Sequence, residues 1–190
     1  MKRKILTIAM LGAIGIMSSV GIASASTSNF GATGAKAQDS YTLPEMLTYA
    51  IQDEYLAKAE YQKIMDTFGV QRPFSNIIKA ENTHITELQP LFAQYDVPLT
   101  ADTSSDYVVI PGILQDSYKA GVEAEINNIA MYGAFLEQDL PYDVNAVFKN
   151  LKAASEKHLQ AFEKGINRPV ISSTGRSGRI QGQGQFRNRR

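Results

Sequence analysis

The chain has 190 residues, 44% of them hydrophobic, with no cysteine or tryptophan and 19 basic against 19 acidic side chains. That length suits one domain with its own core, and the lack of cysteine excludes disulfides, a cysteine-linked lipid anchor and any thiolate-bound cluster. The zero net charge hides an asymmetry: residues 40–169 hold 10 Lys+Arg and 18 Asp+Glu, whereas the stretch from Val170 holds five arginines and no acid. An acidic body suits cations, and a basic tail suits anionic surfaces.

Met1-Lys2-Arg3-Lys4 followed by an apolar run to Met17 and by Ala23-Ser24-Ala25 reads as a secretory signal peptide over residues 1–25. Cleavage is expected after Ala25, with a secreted or periplasmic product. The apolar run is too short for an ordinary membrane span. Residues 26–40 are rich in Ser, Gly, Ala and Thr and read as a flexible linker.

Thr42-Leu43-Pro44-Glu45 opens the first long helix as a capping box. Leu47, Ala50, Ile51, Glu54, Ala57, Tyr61, Ile64 and Phe68 recur at helical spacing, and Gly69 stops them. The second helix starts near Pro73 with the stripe Phe74, Ile77, Glu81, His84, Ile85, Leu88, Leu91 and Phe92; Pro90 should kink it by removing a backbone donor. The third follows Pro111-Gly112, with Leu114, Tyr118, Val122, Glu125, Ile129, Tyr132 and Leu136 inward. The fourth begins near Asp143 as N-cap and turns Val147, Phe148, Leu151, Ala154, Ser155, His158, Leu159 and Phe162 inward, ending before Gly165. Residues 169–190 form a Gly/Gln/Arg-rich tail with little to bury, expected to be disordered. Its Gln183, Phe186 and arginines match no nucleic-acid module.

The links between helices set the topology. Gly69–Arg72 and Asp139–Tyr142 are short, so each helix pair is an antiparallel hairpin. Asp96 to Gly112 is long enough, at about 3.3 Å per extended residue, to run the length of the bundle and make helices two and three parallel. An all-α four-helix bundle with one long crossover between helices two and three results.

Both histidines of the chain lie on apolar stripes, and each is preceded, on the helix before, by a lone carboxylate: Glu54 before His84, Glu125 before His158. The spacings repeat, 71 residues between the glutamates and 74 between the histidines. Glutamates from two helices and a Glu-x-x-His from each of the other two make the di-iron template of helical bundles. Glu81-Asn82-Thr83-His84 supplies one full motif, since a spacing of three puts both ligands on one face. Ser155-Glu156-Lys157-His158 puts Ser where the template has Glu, and Glu156 points elsewhere. The metal set is therefore Glu54, Glu81, His84, Glu125 and His158, one carboxylate short. Asn128 is a weak amide ligand or supporting group, Ser155 a small neighbour, and Tyr61 and Tyr132 either pack or bond to the carboxylates. Counting residues from the helix ends brings Glu125 and His158 level, while Glu54 misses Glu81 and His84 by about 4–9 Å at 1.5 Å per residue. Glu60, Glu87, Glu123, Glu137 and Glu163 fall off the inward stripes and should be solvated.

With these residues in view, positions 41–164 resemble the rubrerythrin-related, ferritin-like superfamily, and more closely its exported branch catalogued as domain of unknown function 2202. The likeness is carried by Asp53-Glu54-Tyr55-Leu56-Ala57, Phe74-Ser75-Asn76-Ile77 through His84, Gly121 through Glu125, and Ser155-x-x-His158-Leu159-x-Ala161-Phe162. It implies a ferritin-like bundle over 41–168 around carboxylate-bound metal, one or two Fe ions with Mn or Zn as alternatives, often used for O₂ or peroxide chemistry. No rubredoxin-like Cys₄ module accompanies it. Whether turnover occurs is left open; any activity would be a di-iron-like oxidase or peroxidase. The alternative is a metal-free structural or envelope-associated bundle held in register by a buried Glu/His network. Expected partners are metal ions, anionic cell-wall or membrane surfaces met by the Arg-rich tail, and a second copy in a homodimer, with no specific nucleic acid.

Overall fold

The computed structural model describes residues 29–36, 38 and 40–167. The signal peptide read over 1–25 and the tail read over 169–190 lie outside the described residues. Among those described, all regular structure is helical: α1 (Gly31–Ala35), α2 (Leu43–Phe68), α3 (Phe74–Gln94), α4 (Leu114–Leu136) and α5 (Tyr142–Ile166), with a single 3₁₀ turn at Ser104–Asp106. No helix of the described residues is long and apolar enough to cross a membrane.

Helix α2 starts as expected: the Glu45 carboxylate accepts the Thr42 backbone N–H at 2.8 Å, satisfying a donor the helix cannot. It ends at Gly69, whose φ of 82° falls where side chains are disfavoured. Helix α3 continues through Pro90 to Gln94. The start of α5 differs from expectation. Pro141 precedes its first residue, and Asp143 sits inside the first turn, accepting the Val144 N–H and the Tyr95 hydroxyl.

Cross-helix pairs fix the directions. Tyr61 reaches Glu125 and Tyr132 reaches Glu54, so moving seven residues up α2 moves seven down α4. Gln94 meets Asp143 while Glu81 meets His158, so α3 and α5 also run in opposite directions. With α2–α3 and α4–α5 as tight hairpins, α3 and α4 are parallel, and residues 95–113 cross over between them.

The core is two apolar layers. One holds Leu47, Ile51, Leu88, Phe92, Phe135, Phe148 and Leu151. The other holds Tyr61, Ile64, Phe74, Ile77, Tyr118 and Phe162. On every long helix the stretch between the layers carries the polar residues: Glu54 on α2, Glu81 and His84 on α3, Glu125 and Asn128 on α4, Ser155 and His158 on α5.

The segment read as a flexible linker is packed from Asn29 to Lys36. Gly31 N–H donates to Gln52 and Ala32 N–H to Asp53 Oδ1 at 2.9 Å, Lys36 bonds Asn127, and Phe30 stacks on Tyr107 of the crossover. Gly31 has φ 55°, and a Cβ there would lie 2.8 Å from the Asp53 carboxylate, so glycine is required on both counts.

Candidate metal centre

The five expected residues converge. Glu54, Glu81, His84, Glu125 and His158 are all buried, and the two imidazole rings lie 5.8 Å apart, tilted by 28°. His84 Nδ1 lies 3.0 Å from Glu54 Oε2 and 2.9 Å from Glu81 Oε2. His158 Nδ1 lies 3.3 Å from Glu81 Oε1 and 3.5 Å from Glu125 Oε1. Glu81 thus presents one oxygen to each histidine. Two ligand groups result, Glu54–Glu81–His84 and Glu81–Glu125–His158, each with its donor atoms within 4.8 Å of one another. This buried cluster could hold a metal ion.

The height mismatch in the first hairpin is taken up by the hairpin itself. Glu54 stands 14 residues before the end of α2 and His84 only 10 after the start of α3. The end of α2 therefore overhangs the start of α3 by about one turn, ~6 Å, in keeping with Tyr61, seven residues before that end, packing on Phe74 at the start of α3.

The two tyrosines bond to the carboxylates, crosswise. Tyr132 Oη donates to Glu54 Oε1 at 2.8 Å and Tyr61 Oη to Glu125 Oε1 at 3.0 Å. Burial raises both hydroxyls well above their usual pKa, so they stay protonated and remain donors.

Charge within the cluster is uneven. Burial and the adjacent Glu54 charge push Glu81 well above the usual carboxylate range. Burial works the same way on Glu54, but the hydrogen bond from His84 and the proton of Glu81 outweigh it and hold its pKa low. His84 is disfavoured as a cation by burial, yet its bond to Glu54 raises its pKa. A divalent cation among these groups would take over the neutralising role of the protons.

Ser155 is buried one turn before His158, the place that Glu81 occupies before His84. Asn128 is buried one turn after Glu125, with Oδ1 unpartnered, as is Glu125 Oε2. Unpartnered buried acceptors are uncommon in folded proteins, and these two are chemically suited to a cation. Glu87, Glu123, Glu137 and Glu163 are exposed as expected. Glu60 is not solvated. It is half-buried beneath the crossover and accepts the Val109 backbone N–H, and burial lifts its pKa to about 7. Asp53, beside Glu54, was not singled out by sequence; under α1 its carboxyl rises to about 8 through burial, partly offset by the Ala32 N–H. No periodic signal marks either residue, because the packing that covers them comes from the short α1 and the crossover rather than from the four long helices.

One cavity reaches the cluster from outside. It holds about 360 Å³ between α3 and α5 and is lined by Thr83, His84 and Glu87 on one side and Asn150, Ala153 and Lys157 on the other.

The fold resembles the crystal structure of a hypothetical protein from Methanococcus jannaschii, with a TM-score of 0.59 over 68% of this chain and 83% of that one at 22% identity. At that identity the likeness speaks to the fold alone. No protein-family profile matches the chain, and no curated protein sequence does.

Proposed function

We propose that this is an exported, ferritin-like metal-binding protein whose centre is a di-iron-type site short of one carboxylate. The observation that carries this reading is Glu81, whose two oxygens face two histidines on different helices. A carboxylate shared in this way, flanked by Glu54 and Glu125, is what two neighbouring cations would need. The two unpartnered acceptors support it further, since buried oxygens without donors are costly unless a cation uses them. Export rests on the basic start and apolar run of residues 1–25.

Glu54, Glu81, Glu125, His84 and His158 would hold the metal. Their oxygen and nitrogen donors suit Fe, Mn or Zn, and affinity order alone does not choose among these. Iron, when bound, supplies redox chemistry towards O₂ or peroxide. The chain's own contribution is positional. Tyr61 and Tyr132 orient the outer carboxylates, the apolar layers exclude bulk water from above and below, and the α3–α5 cavity admits small solutes as far as His84. With three carboxylates against two divalent charges, one cation binds well and a second poorly. No thiol or cofactor motif in the sequence delivers electrons. Binding without efficient turnover is the reading we favour, with the Arg-rich tail as contact to anionic cell-surface polymers or lipid.

A metal-free polar network is the second reading, favoured by the short His84 contacts to both Glu54 and Glu81. Elemental analysis after dialysis against mixed Fe, Mn and Zn separates the two. About one metal per chain, lost when His84 and His158 are both replaced by alanine, supports the centre; occupancy near zero at neutral pH supports the network.

A further inference from the structure

The two halves of the centre differ in how their oxygens are engaged. Around His84 the ring nitrogen lies within 3.0 Å of a carboxylate oxygen from each of Glu54 and Glu81, and the other Glu54 oxygen takes the Tyr132 hydroxyl. Around His158 the carboxylates stand further off, at 3.3 and 3.5 Å. The unpartnered acceptors both belong to this side of the bundle: Glu125 Oε2 and Asn128 Oδ1, on residues only 3% and 7% exposed. They lie three residues apart, hence on one face of α4 and one turn from each other. A cation at His84 must displace close contacts already made, whereas a cation at His158 gives two stranded oxygens a partner.

We propose that the His158 half is the tight site, that the first divalent cation bound sits among Glu81, Glu125, Asn128 and His158, and that the Asn128 amide oxygen is its fourth protein ligand. This rests on the metal-centre reading above. A neutral amide oxygen is a hard donor that divalent cations accept alongside carboxylates. It adds a ligand from α4 where Ser155 of α5 offers none of the template's carboxylate, and it adds no charge. The arrangement orders the loading: His158 half first, His84 half second and weaker.

Titration of the full chain with Co²⁺, read by visible absorption and calorimetry, tests the order. His84→Ala should weaken the second equivalent while its first stays at least tenfold tighter than that of His158→Ala. His158→Ala and Asn128→Ala should each weaken that equivalent at least tenfold. Asn128→Asp keeps the shape and adds a charge, so it should bind the first ion more tightly than the unmodified protein, which decides the matter if Asn128→Ala folds poorly. Loss of the first equivalent in His84→Ala, or an Asn128→Asp affinity no tighter than unmodified, overturns the proposal while leaving a metal centre standing. Absence of Co²⁺ binding by the unmodified protein overturns both.

Discussion

Tyr132 Oη donates to Glu54 Oε1 at 2.8 Å, across from α4 to α2, and Tyr61 returns the same bond to Glu125. Each tyrosine lies seven residues beyond the glutamate of its own helix, two turns or ~10 Å away. It cannot serve that glutamate. In an antiparallel pair, however, the residue two turns along one helix comes level with the glutamate of the other. The 71-residue repeat thus becomes a two-fold exchange of hydroxyls that fixes one oxygen of each outer carboxylate; the other Glu54 oxygen meets His84, and the other Glu125 oxygen is left unpartnered.

Removing those hydroxyls should loosen the metal without unfolding the chain. Tyr132→Phe and Tyr61→Phe keep the ring packing, including the Tyr61 contacts with Phe74 and Phe162. Groups that orient a ligand are commonly worth about 10-fold or more in metal affinity. Tyr61→Phe is expected to weaken the first equivalent about 10-fold and Tyr132→Phe the second by the same factor, read by competition with a chelator, with helical circular dichroism unchanged. Unaltered affinity in both would assign the tyrosines to packing alone.

Two glycines of α4 should respond in opposite directions. A Cβ at Gly121 would come within 2.8–2.9 Å of three Phe162 ring carbons, whereas one at Gly133 meets nothing within 4 Å. Gly133→Ala should therefore stabilise by about 0.5–1 kcal/mol through helix propensity. Gly121→Ala gains the same propensity but must displace a fully buried ring, a cost of about 1–3 kcal/mol. Thermal melts should rise for the first and fall for the second.

How far the sequence spoke depends on the element. The four long helices, their hairpins and the inward Glu and His positions were legible because burial imposes the 3.6-residue period on side chains. Helix α4 was read with its register rotated: Leu114, Val122, Ile129 and Leu136 are only partly buried, while Ser117, Gly121, Asn128 and Phe135 face inward. Hydrophobicity misleads there because the face must be small where Phe162 enters and polar where the centre lies. The crosswise tyrosine pairing needs three-dimensional antiparallel registration that no single helix encodes. The packing of α1 was hidden for another reason. It rests on backbone N–H groups meeting Gln52 and Asp53, and a Gly/Ala/Thr stretch carries no apolar signature of such contacts.

Glu60 should give the bundle a pH slope of definite sign. Its carboxyl titrates near 7 in the folded chain, against a usual 4.5, because burial beneath the crossover disfavours the anion more than the Val109 N–H favours it. The folded state then holds a proton that the unfolded state has released. Its contribution is fully present below about 4.5 and is lost as pH rises through 7. Glu60→Gln, neutral throughout, should flatten the denaturation midpoint between those limits and raise it above pH 7. Because the residue is half-exposed, solvent screening will make the gain smaller than the full shift suggests. An unchanged slope in Glu60→Gln would place the pH dependence elsewhere.

Ser155→Glu tests whether the missing carboxylate is what limits the centre. Ser155 is buried one turn before His158 on α5, in the same relation as Glu81 to His84 on α3. A glutamate there would complete two Glu-x-x-His motifs and raise the count of carboxylates from three to four, matching two divalent cations. Metal content should rise from about one towards two per chain, and Fe²⁺ oxidation should appear or strengthen. The same change should carry a cost without metal. A fourth buried carboxylate has no further cation to pair with and repels Glu54, Glu81 and Glu125. The variant's melting temperature should therefore drop more on adding chelator than that of the unmodified protein. Both readouts must move together. Higher metal content with no chelator sensitivity would mean surface binding, and neither effect would mean that residue 155 does not face the centre. Vigorous ferroxidase or peroxidase activity in the unmodified protein would show instead that three carboxylates suffice for turnover.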